Sequence, residues 1–219
     1  MLNTSKGDMY SWVTHTWNTV KGECPHGCTY CYMKRWGKQK PVRFDESELM
    51  TDLGSGNTIF VGSSCDLWAN DIPDEWIGRT IDRCLDFDNK YLFQSKNPER
   101  FSHFFNHLPT DTKFCTTIET NRRYDEFMGN TPGAKDRAYF LREWPFDAYV
   151  TIEPIMDFDL EELVEIIKMC EPNQVNIGAD SGHNNLPEPP AWKLQQLIAE
   201  LKKFTVIDQK RNLQRLLKT

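Results

Sequence analysis

Six short runs of apolar and β-branched residues, each followed by a stretch with other spacing, set the tightest limit on how this chain can fold. They are Ser11–Thr16, Thr58–Gly62, Lys90–Ser95, Lys113–Thr117, Ala148–Ile152 and Gln174–Gly178. Strands so far apart in sequence do not pair as tight hairpins; they line up parallel, with helices as the crossovers. Between the second and third runs, Pro73 opens a helix with Ile77, Ile81, Cys84 and Leu85 on one face. Proline favours that first helical turn. After Asp159, Leu160, Leu163, Val164 and Ile167 recur at helical spacing, as do Leu194, Leu197, Ile198 and Leu201 after Pro190. Six βα units with right-handed crossovers give an α/β fold, a partial (β/α)6 TIM-like barrel that stays open. The 219 residues fit one domain, with a core over about 10–204 and a short C-terminal extension, 205–219.

In such folds, polar residues at the carboxyl ends of the strands line the ligand site. Each run here ends in polar or small residues: WNTVKGEC, GSSCDLWAN, FQSKNP, TTIETN, TIEP and NIGADSG. The first of these endings leads into Cys24, Cys28 and Cys31, spaced C-x3-C-x2-C, with no fourth cysteine nearby. A structural zinc would need another ligand; His26 lies inside the motif, but the paired half of a zinc hairpin is missing. Three thiolates with one open position suit a four-iron cluster whose remaining iron can chelate a small molecule and pass it an electron. A zinc-stabilised module that binds nucleic acid or protein without redox chemistry is the alternative.

Seven cysteines, an odd number, fit free thiols better than a disulfide framework. Cys65, Cys84, Cys115 and Cys170 are scattered, and Cys84 is expected to pack as a small apolar residue. No stretch approaches a membrane span and MLNTSKGDMY lacks an apolar leader core, so a cytoplasmic location is expected. A formal charge of −6 argues against uniform coating for nucleic acid. Lys34, Arg35, Lys38, Lys40 and Arg43 nevertheless form a local basic run, readable as a solvated loop or as a contact for a polyanion.

The run CPHGCTYCY resembles the cluster motif of radical S-adenosylmethionine (SAM) enzymes, including the aromatic Tyr30 before the third cysteine. HTWNTVKGEC, IFVGSSCDLWANDIPDEWI, FQSKNPERF, TTIETN, VTIEPIMDF and VNIGADSG follow in the order seen in a small phage- and bacteria-associated radical SAM family. Several blocks are also similar to those of the spore photoproduct lyase branch. The resemblance implies a [4Fe–4S] cluster on Cys24, Cys28 and Cys31, SAM as cosubstrate, and a 5′-deoxyadenosyl radical that abstracts a substrate hydrogen. It places Tyr30 near the adenine and Lys96 against the SAM carboxylate, with Thr117 and Glu119 at the ribose hydroxyls. The usual glutamate of the second strand end is absent, leaving Ser64 or Asp66 to accept from the methionine amino group. Glu153 is expected to face the barrel mouth, either touching SAM or substrate or paired with a nearby cation. Asp180 is expected to behave similarly, with Gly178 allowing close backbone approach. Cys65 reads either as a hydrogen donor to a product radical or as a packed thiol; His15 and Trp17 read as a shield for the loop or as core. Implied partners are a flavodoxin- or ferredoxin-like electron donor, a nucleic-acid base or nucleotide stacked by Tyr32, Trp36 or Trp68, and a partner protein sealing the open barrel.

Overall fold

In a computed structural model, residues 1–7, 9–143 and 147–218 are described. The strands are β1 (Asn3–Thr4), β2 (His15–Trp17), β3 (Val20–Lys21), β4 (Arg43–Phe44), β5 (Thr58–Val61), β6 (Lys90–Ser95), β7 (Thr112–Thr117), β8 (Asp147–Ile152), β9 (Gln174–Ile177) and β10 (Val206–Gln209). The helices are α1 (Asp74–Leu85), α2 (Asp125–Met128), α3 (Ala134–Arg142), α4 (Leu160–Met169), α5 (Ala191–Leu201) and α6 (Gln214–Leu217). One eight-stranded sheet runs β1-β2-β5-β6-β7-β8-β9-β10, while β3 and β4 form a separate antiparallel pair. Only β1 is antiparallel within the large sheet; the other pairings are parallel, and among the described residues β10 pairs with neither β1 nor β2, so the ring stays open. The expected open, mostly parallel α/β architecture is the one observed.

Side chains alternate between two faces along each strand. Ile59, Val61, Tyr91, Phe93, Phe114, Val150, Ile152, Val175 and Ile177 pack into the main core with residues of the helices. Phe60, Leu92 and Cys115, one register step away, face the barrel interior with Tyr10 and Val13. Those two residues explain why the first strand is shorter than expected. The segment before His15 turns, with Val13 N–H donating to the Tyr10 carbonyl at 3.0 Å, and fills the barrel instead of extending β2.

Helix α1 starts after Pro73 and buries Ile77, Ile81 and Cys84 completely. Each isoleucine buried this way contributes about 1.5–3 kcal/mol. Leu85, expected on the same face, is 47% exposed, because it ends the helix and has rotated off the core. Trp68 is fully buried, its ring edge-on to Phe93, Phe101 and Phe104 at centroid distances of 5.3, 4.9 and 5.7 Å. It is therefore core, not a platform for a base. Trp17 is likewise fully buried in the core. The segment read as a C-terminal extension contributes β10, paired in parallel with β9 from Val206↔Gln174 to Gln209↔Ile177.

Candidate active site

The carboxyl ends of the parallel strands surround a cavity of about 390 Å³. Cys24, Cys28 and Cys31 form one wall, joined by Ser64, Cys65, Asp66, Lys96, Thr117 and Glu153 from the strand ends. All three cysteines carry free thiols. Their loop is held from behind: Thr29 N–H donates to the Phe127 carbonyl at 2.9 Å, and Asn130 N–H to the His26 carbonyl at 2.8 Å. Between these contacts Gly129 takes φ +59°, and a Cβ there would run into the His26 carbonyl. Only glycine accommodates both conditions. A hydrogen bond from the Cys65 thiol lowers the Cys24 thiol to about 6, so Cys24 is the readier thiolate of the pair. Burial pushes the Cys31 thiol upward.

Among the described residues, no three His, Cys, Asp or Glu side chains close on a point as the ligands of a single ion would. A tetrahedral zinc would draw its thiolate sulfurs to within about 4 Å of each other, given Zn–S bonds of about 2.3 Å. A four-iron cluster takes each thiolate on a different iron, which asks for a more open set. Three free thiols on one wall, with a lysine ammonium 3.3 Å from the Cys28 sulfur, fit that chemistry.

Asp66 anchors the loop to the sheet. Its Oδ2 accepts from His26 Nε2 (2.8 Å), the Ser95 hydroxyl (2.9 Å) and Lys96 N–H (2.9 Å); its Oδ1 accepts from Trp68 N–H (2.9 Å). Burial alone would raise this carboxyl, but His26 and the backbone donors hold it below the usual range. Burial would also lower His26, and Asp66 overrides it in the upward direction. With these four bonds in place, Asp66 has little capacity left for an external amine. Ser64, half-buried on the cavity wall, has its N–H donated to Asn18 Oδ1 at 2.8 Å, which presents the residue to the cavity.

Lys96 directs its ammonium at three groups: Glu119 Oε1 (2.7 Å), the Tyr30 hydroxyl (2.8 Å) and Cys28 Sγ (3.3 Å). Glu119, expected at the ribose, is completely buried and lies outside the cavity lining. Both of its oxygens are engaged: Oε1 also accepts from Tyr30 at 2.5 Å, and Oε2 pairs with the equally buried Arg137 at 2.8 Å. Burial works against the Glu119 carboxylate, yet Lys96 and Arg137 hold it well below the usual range. Arg137 also donates to the Thr117 and Pro132 carbonyls, satisfying its guanidinium.

On the opposite side of the cavity Thr117 and Glu153 are joined by residues that sequence reasoning did not single out. The Tyr10 hydroxyl donates to Gln94 Oε1 at 2.7 Å, and Gln94 Nε2 donates to Thr117 Oγ1 at 3.1 Å. Lys210, just beyond β10, lies 2.5 Å from Glu153 Oε2 and 4.8 Å from the Tyr10 ring centroid. Asn212 donates to Glu153 Oε1 at 3.1 Å. Glu153 thus faces the barrel mouth, as expected, and is paired with a nearby cation. A Cβ on Gly178 would come within 2.6 Å of Glu153 Oε1, so the close approach expected of that glycine is real. Asp180 closes its own loop, accepting from Gly182 N–H (2.9 Å) and Asn184 Nδ2 (2.7 Å). Among the described residues, the buried Thr151 hydroxyl on the cavity wall has no partner at hydrogen-bond distance. Period-two alternation from Leu92, Cys115 and Tyr149 would have flagged Gln94, Thr117 and Thr151 as inward-facing; nothing local in the sequence marks Tyr10 or Lys210.

The fold is a mixed α/β one, similar to that of spore photoproduct lyase. The lyase complexed with dinucleoside spore photoproduct matches with a TM-score of 0.67 and 12% identity, over 94% of this chain and 78% of that one. A lyase variant with bound AdoMet and dinucleoside spore photoproduct matches with a TM-score of 0.66 and 11% identity, over 93% and 78%. At such identities the likeness is one of fold. The tRNA-2-methylthio-N(6)-dimethylallyladenosine synthase of Petrotoga mobilis is 24% identical over 196 residues, covering 74% of this chain and 43% of that protein. The chain therefore spans less than half the length of that relative. Residues 8–202 match the model of the family described as "Protein of unknown function (DUF5131)", and the chain belongs to that family. Among the described residues, no helix is long and apolar enough to cross a membrane.

Proposed function

We propose that this chain is a radical SAM enzyme acting on a nucleic-acid base or nucleotide. The observation that carries the reading is the meeting of three free thiols and a ring of strand-end polar groups around one cavity. Cys24, Cys28 and Cys31 would hold a [4Fe–4S] cluster, which would supply the electron for reductive cleavage of SAM ahead of hydrogen abstraction from the substrate. Lys96, held in place by Glu119, offers its ammonium to the SAM carboxylate. Ser64 offers its hydroxyl to the methionine amino group, and Tyr30 positions the adenine. Thr117, oriented by Gln94, serves the ribose. Tyr10, Thr151, Glu153 and Lys210 face the substrate across the cavity. The lyase complexed with a dinucleoside photoproduct and the tRNA-modifying synthase support a nucleic-acid substrate class.

Anaerobic reconstitution with iron and sulfide tests the proposal. The expected protein is brown, holds about four irons per chain, and yields 5′-deoxyadenosine when reduced with SAM. Colourless protein that binds zinc instead, or fewer than about three irons per chain, would overturn it.

A further inference from the structure

We propose that the exposed surface following the cysteine loop is a docking shelf for unpaired nucleic acid. The strand lies along Trp36 and the neighbouring lysines, and one base turns over Arg35 and Tyr32 into the cavity. The inference rests on the proposed function only in treating the cavity as the reaction site.

Residues Tyr32–Trp36 form a short 3-10 helix with no buried side chain. Trp36 is 71% exposed and Tyr32 42%. Such aromatic area left in water is unfavourable unless something covers it. The Arg35 guanidinium lies against both rings, 5.4 Å from the Tyr32 centroid and 5.6 Å from that of Trp36. An arginine layered on aromatics forms a flat stack onto which a base can add. The Tyr32 hydroxyl donates to the Ser63 carbonyl at 2.6 Å, fixing the stack to the cavity rim, and Tyr32 and Arg35 themselves line the cavity.

Charge points to the same occupant. Lys34, Arg35, Lys38, Lys40 and Arg43 are all exposed, and no acidic residue occurs from Tyr32 to Phe44. Among the described residues none of these five cations joins an ion pair. On a chain of formal charge −6 they form a concentrated patch for phosphates. Stacking needs splayed bases, and the acidic remainder of the surface repels a long duplex, so the fit is to a single strand or a loop. An acidic electron carrier would match the lysines but would have no use for Trp36.

The test is the fluorescence anisotropy of a labelled single strand of about ten nucleotides, titrated with the full chain from about 50 to about 200 mM salt. Trp36→Ala is expected to weaken binding about tenfold, as the loss of one stacked base does. The double variant Lys34→Glu, Lys38→Glu is expected to weaken it further and flatten the salt dependence. Far-ultraviolet circular dichroism should match the parent for both variants. Unchanged affinity in both variants, or equal affinity for a perfect duplex, would overturn the shelf. So would loss confined to the charge reversals, which would reduce the patch to phosphate attraction with no stacked base. Tight binding without 5′-deoxyadenosine formation would sink the proposed function and leave the shelf standing; the converse would sink the shelf alone.

Discussion

The cysteine loop has positive charge on both sides, handled in opposite ways. Beneath it, Arg137 is fully buried and Lys96 half-buried, and each is matched at hydrogen-bond distance by Glu119. Beyond it, the cations from Lys34 to Arg43 stand in solvent, with no acid from Tyr32 to Phe44. A buried charge without its partner is strongly unfavourable, so the first set is locked to one geometry. A solvated charge contributes little to folding and stays available to whatever approaches. One set positions the site; the other faces outward.

The largest effect should come from breaking the buried set. Glu119→Gln leaves the buried Arg137 and the half-buried Lys96 underpaired and is expected to destabilise the fold by about 3–5 kcal/mol in urea unfolding. A loss below about 1 kcal/mol would show that the two regions do not differ as described. The same carboxylate fixes a pH dependence. Its folded value lies below the ordinary 4.5, so its contribution is fully present above that value and is lost as pH falls toward the lower folded one. The parent's urea midpoint should drop on acidification below about pH 4.5, and the Gln variant's should drop less.

An intermediate effect is expected from Asp66→Asn, which weakens the bond from His26 and the three others on that carboxylate. The change should lose about 2 kcal/mol, in the range for hydrogen bonds to a charged group. It should also loosen the cysteine loop. Faster reaction of Cys24, Cys28 and Cys31 with a thiol reagent, read by mass spectrometry, would report that loosening, and unchanged rates would count against an anchoring role. The smallest effect belongs to the solvated set: Lys34→Glu with Lys38→Glu should move stability by no more than about 0.5 kcal/mol. A larger shift would mean that those lysines are part of the fold.

Much of this was legible in the sequence wherever one local pattern decided the matter. The strands β5 to β9 and the helices α1, α4 and α5 follow from period and punctuation, and they appear within a residue or two of the expected bounds. The cysteine spacing and the strand-end position of Lys96 mark those residues without a structure. What stayed hidden depends on partners distant in sequence. Glu119 reads as a strand-end carboxylate like Glu153, and only Arg137, arriving from α3, shows that it faces away from the cavity. Trp68 reads as exposed beside polar neighbours, and three phenylalanines from elsewhere bury it. Lys210 and Asn212 lie in a segment without strong periodicity, whose role is set by pairing with β9.

One glycine shows how far such dependence reaches. Gly178 makes no polar side-chain contact of its own, yet the volume it leaves free is where the Glu153 carboxylate sits, within reach of Lys210 and Asn212. Adding one methyl group there would displace the carboxylate and strip Lys210 of its counterion, although the backbone could accept alanine elsewhere in a strand end. In a library randomised at this position, the permitted residue is therefore chosen by its neighbour: shortening Glu153 should be what lets side chains other than hydrogen in.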